Sequence, residues 1–274
     1  MMYQTKEIIN HLDNMFQIIR RATNKSTPED WHTGQTNAKG DQVKWFDLAA
    51  DEVVCTYLDQ KFPYAVNLWS EEGDEPRQFG RGKPEFTMVL DPVDGSENFA
   101  RGLAPAGTAF ALFPASEPVS VETVQHAFIG NLFTGDSYWA AKGEGAFFND
   151  TPLRPMVSSE LENVFLSCDT NRYLIPDHVN RFMTQFRGVR SLGAATIALT
   201  MVATGSCAVH LDSRDNLTPE NFLAPALLIN EVGGVILTMS GEPIPAINTL
   251  TECFSLLAAT THELHALALE TLQS

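Results

Sequence analysis

Residues 90–96, Leu90-Asp91-Pro92-Val93-Asp94-Gly95-Ser96, place two aspartates three positions apart at the end of an apolar run. Proline stiffens the backbone between the carboxylates, and glycine permits a sharp bend after them. Carboxylates at a strand end are suited to sharing hard cations such as Mg²⁺, which take oxygen ligands. The residues after Asp94 can then offer backbone N–H groups to a phosphate, as a nest or a helix start does. The same string also reads as an Asp-Pro turn with capping aspartates, and by itself it leaves both readings open.

Three other segments bear on the choice. Trp69-Ser70-Glu71-Glu72-Gly73 follows a second apolar run and can supply further carboxylates from Glu71 and Glu72, or be a solvated acidic turn,. Asp47 closes the string Asp41-Gln42-Val43-Lys44-Trp45-Phe46-Asp47. Arg190-Ser191-Leu192-Gly193-Ala194-Ala195 brings a glycine into a helix start, where N–H groups can meet an anion or small residues can pack closely,.

These segments must be positioned by regular elements. Ile8, Ile9, Leu12, Met15, Phe16 and Ile19 recur at helical spacing over residues 8–20, as core or as a dimer interface,. A polar loop follows over 23–40, and a second helix over 47–58. Strands are expected at 65–69, 86–90, 108–113, 123–131 and 137–141, with a turn at 143–145,. The turn-rich stretch 149–154 suggests a boundary. It divides an N-terminal α+β half, 1–152, which carries most candidate ligands, from a C-terminal α/β half, 153–274, which completes the site. That second half reads as strand 163–167, helices 176–185 and 193–203, strand 208–211 and helix 219–231 closed by Gly233-Gly234,. Strands 235–238 and 255–258 and a last helix 262–272 complete it, an alternation that predicts layered α/β architecture,. His262 and His265 on that last helix read as surface residues.

The 274 residues are 44% hydrophobic and 19% charged, the profile of an ordinary globular protein,. A net charge of -16 argues against nucleic acid or an anionic membrane as partner,. No apolar run is long enough to span a bilayer, and the N-terminus lacks the features of a signal peptide,. Cys55, Cys168, Cys207 and Cys253 are scattered, which points away from zinc or a disulfide framework and toward the cytoplasm,.

The blocks Ser70-Glu71-Glu72, Asp91-Pro92-Val93-Asp94-Gly95-Ser96-Glu97-Asn98-Phe99, Gly143-Glu144-Gly145-Ala146-Phe147-Phe148-Asn149, Arg190-Ser191-Leu192-Gly193 and Glu231-Val232-Gly233-Gly234 occur in one order along the chain. In that order the sequence resembles the inositol monophosphatase family, within the lithium-sensitive, Mg-dependent sugar-phosphatase superfamily. The resemblance spans nearly the whole chain. It implies a layered αβαβα sandwich, usually dimeric, that hydrolyses a small phosphorylated metabolite of inositol monophosphate, fructose 1,6-bisphosphate or phosphonucleotide type. It also implies two or three Mg²⁺ ions, with Mn²⁺ as an alternative, held by Glu71, Asp91, the Val93 carbonyl and Asp94. Asp47 and Ser96, with Glu72 of the acidic pair, are the implied catalytic residues. The backbone at Gly95, Ser96, Gly193, Ala194 and Ala195 is the implied phosphate and substrate cradle.

Three positions depart from the family pattern. Relatives place an aspartate ligand on the late helix where this chain has Asn221, which keeps an oxygen but withholds a charge. Glu220 is adjacent but leaves the helix about 100° away,. Two readings follow: an enzyme with a weakened second metal site, or an inactive relative that binds phosphate ligands or metal. Arg214 stands where inositol-specific relatives carry glutamate, which suits a second anionic group on the substrate or a pairing with Asp212 or Asp215,. Lys44 stands where relatives often have threonine or serine; near Asp47 its charge would lower that carboxylate's pKa and weaken it as a base, and the expectation is that it points to solvent,.

Overall fold

The apolar stripe at the start of the chain becomes core. In α1, Met2–Thr23, the side chains of Ile8, Leu12, Met15, Phe16 and Ile19 have no exposed surface,. The computed structural model describes residues 2–23, 34 and 42–274, so the loop expected over 23–40 lies outside the described residues except for Thr23 and Gly34. α2, Trp45–Gln60, lies beside α1, and the two helices cover one face of a sheet.

That sheet has eight strands: β1 Val66–Ser70, β2 Arg77–Phe79, β3 Phe86–Asp94, β4 Gly107–Pro114, β5 His126–Asn131, β6 Ser137–Ala141, β7 Gly145–Phe148 and β8 Thr151–Pro152, ordered β2-β1-β3-β4-β5-β6-β7-β8. β1 and β3 are parallel, which brings the strand ends Ser70-Glu71 and Asp91 to the same end of the sheet. A second sheet has five strands: β9 Phe165–Cys168, β10 Gly188–Arg190, β11 Val209–Leu217, β12 Val235–Thr238 and β13 Phe254–Ala259, ordered β10-β9-β11-β13-β12.

α5, Ala195–Thr204, and α6, Pro219–Glu231, are apolar on most sides because they lie between the two sheets,. α4, Asp177–Met183, and α7, His262–Gln273, cover the outer face of the second sheet. The layers therefore run αβαβα. Glu231 at the end of α6 ties the layers at one corner, its carboxylate accepting the N–H groups of Gly143 and Gly145, both at 2.8 Å.

Several elements differ from the sequence reading. β3 does not stop at residue 90 but continues through the Asp-Pro string, with a register shift against β4 between Asp91 and Asp94. Pro92 cannot donate to the ladder, and the strand slips there; the Thr108 hydroxyl donates to the Pro92 carbonyl at 2.8 Å and pairing resumes at Asp94,. β5 begins at His126 rather than at 123, because the Thr123 hydroxyl accepts the Ser120 N–H at 3.1 Å and holds a turn. β2, β7, β8, β10 and the short α3, Ser96–Ala100, were not expected; the strands among them are short edges or late meander strands defined by their pairing. His265 is buried rather than on the surface, its Nε2 lying 3.2 Å from the Leu257 carbonyl.

Candidate active site

α2 begins immediately after Lys44, and Asp47 sits three residues into it. The Asp47 Oδ2 reaches back to accept the Lys44 backbone N–H at 2.9 Å, which closes the helix N-terminus and fixes the carboxylate,. Asp47 is 4% exposed. Burial pushes its carboxyl up to about 7, against the lowering effect of the Lys44 N–H and ammonium and with a smaller push from Glu71,. Lys44 does not point to solvent as expected: its Nζ donates to Ser96 Oγ at 3.1 Å and pairs with Glu97 Oε1 at 2.8 Å. The Phe46 ring of α2 packs against the Phe99 ring of α3, Ser96–Ala100, with centroids 5.0 Å apart, which sets the two helix starts side by side.

The end of β1 supplies Glu71 and Glu72. Ser70, the last strand residue, donates its hydroxyl to Asp51 Oδ1 at 2.5 Å, and Arg77 from β2 holds the same carboxylate with two contacts of 2.7 Å. This partly buried knot joins α2, β1 and β2. It holds the backbone at Glu71, whose N–H donates to the Leu90 carbonyl at 3.0 Å and so sets it beside Asp91.

β3 supplies Asp91, Val93 and Asp94, all buried. Both oxygens of Asp94 accept N–H groups from the start of α5, Ala195 at 3.1 Å and Thr196 at 2.9 Å. Burial, with Glu71 nearby, pushes the Asp94 carboxyl up, and these N–H bonds oppose the shift,. The expectation that Ala195 offers its N–H to an anionic substrate is corrected here, because that donor serves Asp94. Ala194 is buried, and its methyl approaches Gly95 so closely that a Cβ on Gly95 would lie 2.9 Å from it. Gly95 also has φ +76, so both space and backbone conformation require glycine,. Asn98 then clamps the turn, donating to the Leu192 carbonyl at 2.6 Å and the Pro105 carbonyl at 3.0 Å. Gly193 thus stands against the 95–98 turn.

From between the two sheets, α6 presents Asn221 to this group. Its Nδ2 donates to Asp91 Oδ2 at 2.9 Å and its Oδ1 accepts the Thr218 hydroxyl at 3.2 Å. Glu220 instead is buried at 2% exposure, hydrogen-bonded to Thr218 and not among the residues that line the cavity. Arg214 lies in the wall, but its guanidinium is occupied. Nε and Nη2 contact Asp212 at 3.0, 3.2 and 2.6 Å, and Nη1 contacts Asp169 at 3.0 Å. Asp212 has no exposed surface. A buried carboxylate demands a counter-charge, and Arg214 supplies it to Asp212,.

Asp47, Glu71, Glu72, Asp91, Val93, Asp94, Gly95, Ser96, Gly193, Ala195, Arg214 and Asn221 line one cavity of about 1120 Å³. Ala194 is the one expected site residue outside the lining. Lys44, Glu97, Asn98 and Asp169 also line it, and the sequence reading gave them no site role. Glu97 and Asn98 lay within the recognised nine-residue block, and their continuity with Ser96 was the available signal; Asp169 had none, being brought in by β9.

The donor set is all oxygen, as a hard divalent cation requires. Asp47 Oδ1 is buried and meets no donor among the described residues. Among those residues no three Asp, Glu, His or Cys side chains close around one point. Asp91 is turned to Asn221 and Asp94 to α5. The residues therefore fit a divalent cation in donor type through the carboxylates and the Val93 carbonyl; the Asn221 oxygen, held by Thr218, joins that set only with the amide turned over,.

The inositol monophosphatase family profile matches residues 5–274. Fructose-1,6-bisphosphatase/inositol-1-monophosphatase of Methanothermobacter thermautotrophicus is 31% identical over 242 residues, covering 86% of this chain and 85% of that protein. Inositol-1-monophosphatase of Bacillus subtilis is 29% identical over 223 residues, covering 80% and 78%. A solved inositol monophosphatase–fructose 1,6-bisphosphatase superposes with a TM-score of 0.78 at 21% identity, covering 96% of this chain and 98% of that one.

Proposed function

Because this chain belongs to the inositol monophosphatase family and is a phosphatase of it, we propose that it uses divalent cations to hydrolyse the monoester of a small phosphorylated metabolite. The substrate is of inositol monophosphate, fructose 1,6-bisphosphate or phosphonucleotide type. The supporting observation is that separate elements, α2, β1, β3 and α6, deliver Asp47, Glu71, Asp91 and Asn221 to one cavity. Glu71, Asp91, the Val93 carbonyl, Asp94 and Asn221 would hold Mg²⁺ or Mn²⁺, which supplies charge neutralisation of the phosphate and activation of water.

The chain's own groups do the rest. Asp47 keeps Oδ2 committed to Lys44, which leaves Oδ1 to accept a proton from the attacking water. A carboxyl held near neutrality is suited to that exchange at physiological pH,. Ser96 Oγ accepts from the Lys44 ammonium, so its own proton is available to donate,. The N–H groups of Gly95 and Ser96, at a left-handed turn entering α3, face developing charge on the phosphate oxygens,. The same proposal includes a homodimer in the cytoplasm, with residues 1–152 carrying most ligands and 153–274 completing the site. The charge of -16 supports a small metabolite rather than nucleic acid as partner,. No helix among the described residues is long and apolar enough to cross a membrane.

Phosphate release from inositol 1-phosphate, fructose 1,6-bisphosphate and a phosphonucleotide, with Mg²⁺ titrated from zero to saturation, tests the reading. Turnover of none of them at saturating Mg²⁺ would sink it. Asn221→Asp is expected to raise Mg²⁺ affinity roughly tenfold by restoring a charged ligand; an unchanged Mg²⁺ dependence would remove Asn221 from the ligand set.

A further inference from the structure

Lys44 is 3% exposed, although a lysine ammonium is strongly hydrated and seldom buried without partners,. It is held from two sides. Its backbone N–H fixes Asp47 at 2.9 Å, and its Nζ reaches Ser96 Oγ at 3.1 Å and Glu97 Oε1 at 2.8 Å. The Glu97 side chain is 61% exposed and is also held by Arg101. Its negative charge is therefore screened by water and shared with a second cation, and it offsets the ammonium only from the outside. On the inside, Lys44 shares a cavity wall with Asp47, Glu71, Asp91 and Asp94.

Across the same cavity Asn221, an amide, meets Asp91. Compared with a wall of carboxylates alone, the cavity has gained one fixed positive charge at Ser96 and lacks one negative charge at Asp91. Both differences act in the same direction: each raises the cost of admitting a further divalent ion. A fixed ammonium also has an advantage over such an ion at this position, since Mg²⁺ gives up its water shell reluctantly.

Resting on the metal-dependent reading above, we propose that the Lys44 ammonium is a built-in cation on the Asp47–Ser96 side of the cavity and takes the place of one divalent ion. It acts as a positioning residue through Ser96, holding the hydroxyl that such an ion would otherwise polarise. Removing its charge while keeping its length opens room and charge for one more ion.

The test is the number of Mn²⁺ ions bound per folded chain at saturation, by equilibrium dialysis, in the wild-type protein, Lys44→Met, Lys44→Gln and Lys44→Arg. The backbone contact to Asp47 survives all three substitutions, so only the ammonium is changed. The expected result is one additional Mn²⁺ in K44M and in K44Q, and the wild-type count in K44R. K44Q separates charge from hydrogen bonding, because it can still donate to Ser96, and it also serves if K44M does not fold. Equal counts in the wild type and the uncharged variants overturn the proposal alone. Absence of bound Mn²⁺ in every form overturns the metal-dependent reading and this proposal with it.

Discussion

Arg214→Met should destabilise the protein through the carboxylate it leaves behind. In the folded chain the guanidinium makes three contacts with Asp212, at 3.0, 3.2 and 2.6 Å, and one with Asp169 at 3.0 Å. Asp212 has no exposed surface, whereas the Asp169 side chain keeps 16% and water can take over part of its loss. Removing one partner of a buried pair costs about 3–5 kcal/mol, because the other charge stays buried without compensation. For 274 residues at about 2.1 cal/mol/K each, that is a fall in Tm of roughly 5–9 °C,. Calorimetric or circular-dichroism melting of R214M measures it. The double variant R214M/D212N, which removes the stranded charge, should recover about 2 kcal/mol of the loss. A melting point for R214M within about 2 °C of the wild type, or no recovery in the double variant, would refute the assignment of Arg214 as an internal counter-ion. In the surviving folded fraction, the ratio of kcat/KM for a bisphosphate over a monophosphate should stay within about twofold; a fall confined to the bisphosphate would restore Arg214 as a substrate-binding group.

Three further outcomes are expected. Asp47→Asn should lower kcat by at least about a hundredfold and yet raise Tm at pH 8 in metal-free buffer. The Asp47 carboxyl is raised from 3.8 to about 7 on folding, so stability from its protonated form is present below pH 4 and lost as pH rises toward 7, on the order of 4 kcal/mol at most,; an unchanged Tm would contradict this. His210 and His126 are both lowered by burial from 6.5 to about 4, so the unfolded chain takes up protons first and stability falls as pH drops from about 6.5 toward 4,. Urea titrations should show a loss of up to roughly 3 kcal/mol per histidine across that window, largely abolished for His210 in His210→Gln. Gly95→Ala should cost about 1–3 kcal/mol from its φ of +76 alone, with the 2.9 Å approach to Ala194 adding to it, and should lower kcat by tilting the Gly95–Ser96 N–H groups,; wild-type turnover in G95A would remove that turn from the phosphate cradle.

The long elements were legible because their apolar spacing is local. β6 Ser137–Ala141, α6 Pro219–Glu231 and β12 Val235–Thr238 stand at the bounds the pattern predicts. The missed elements are of another kind. β11 continues past Leu211 through Asp212-Ser213-Arg214-Asp215-Asn216, a polar run with no strand signature, because β13 offers it a partner across a register shift. β10 is three residues long and exists by pairing with β9. Strand character in such segments comes from a neighbour distant in sequence, which local propensity does not encode.

The sequence alone determined which residues carry oxygen ligands, the order of the family blocks along the chain, and the loss of a charge at Asn221. Those facts are matters of residue type and spacing. Tertiary structure decided which way the side chains turn. It set Asn221 rather than Glu220 against Asp91, since only one of two neighbours on a helix can face a given wall,. It enclosed Arg214 between Asp212 and Asp169, because a carboxylate with no exposed surface requires a cation beside it,. It also drew Lys44 inward to Ser96, a contact between residues 52 positions apart that follows from α3 lying beside the start of α2. Charge in a folded chain is placed by burial and by long-range packing, and neither is written in the spacing of nearby residues.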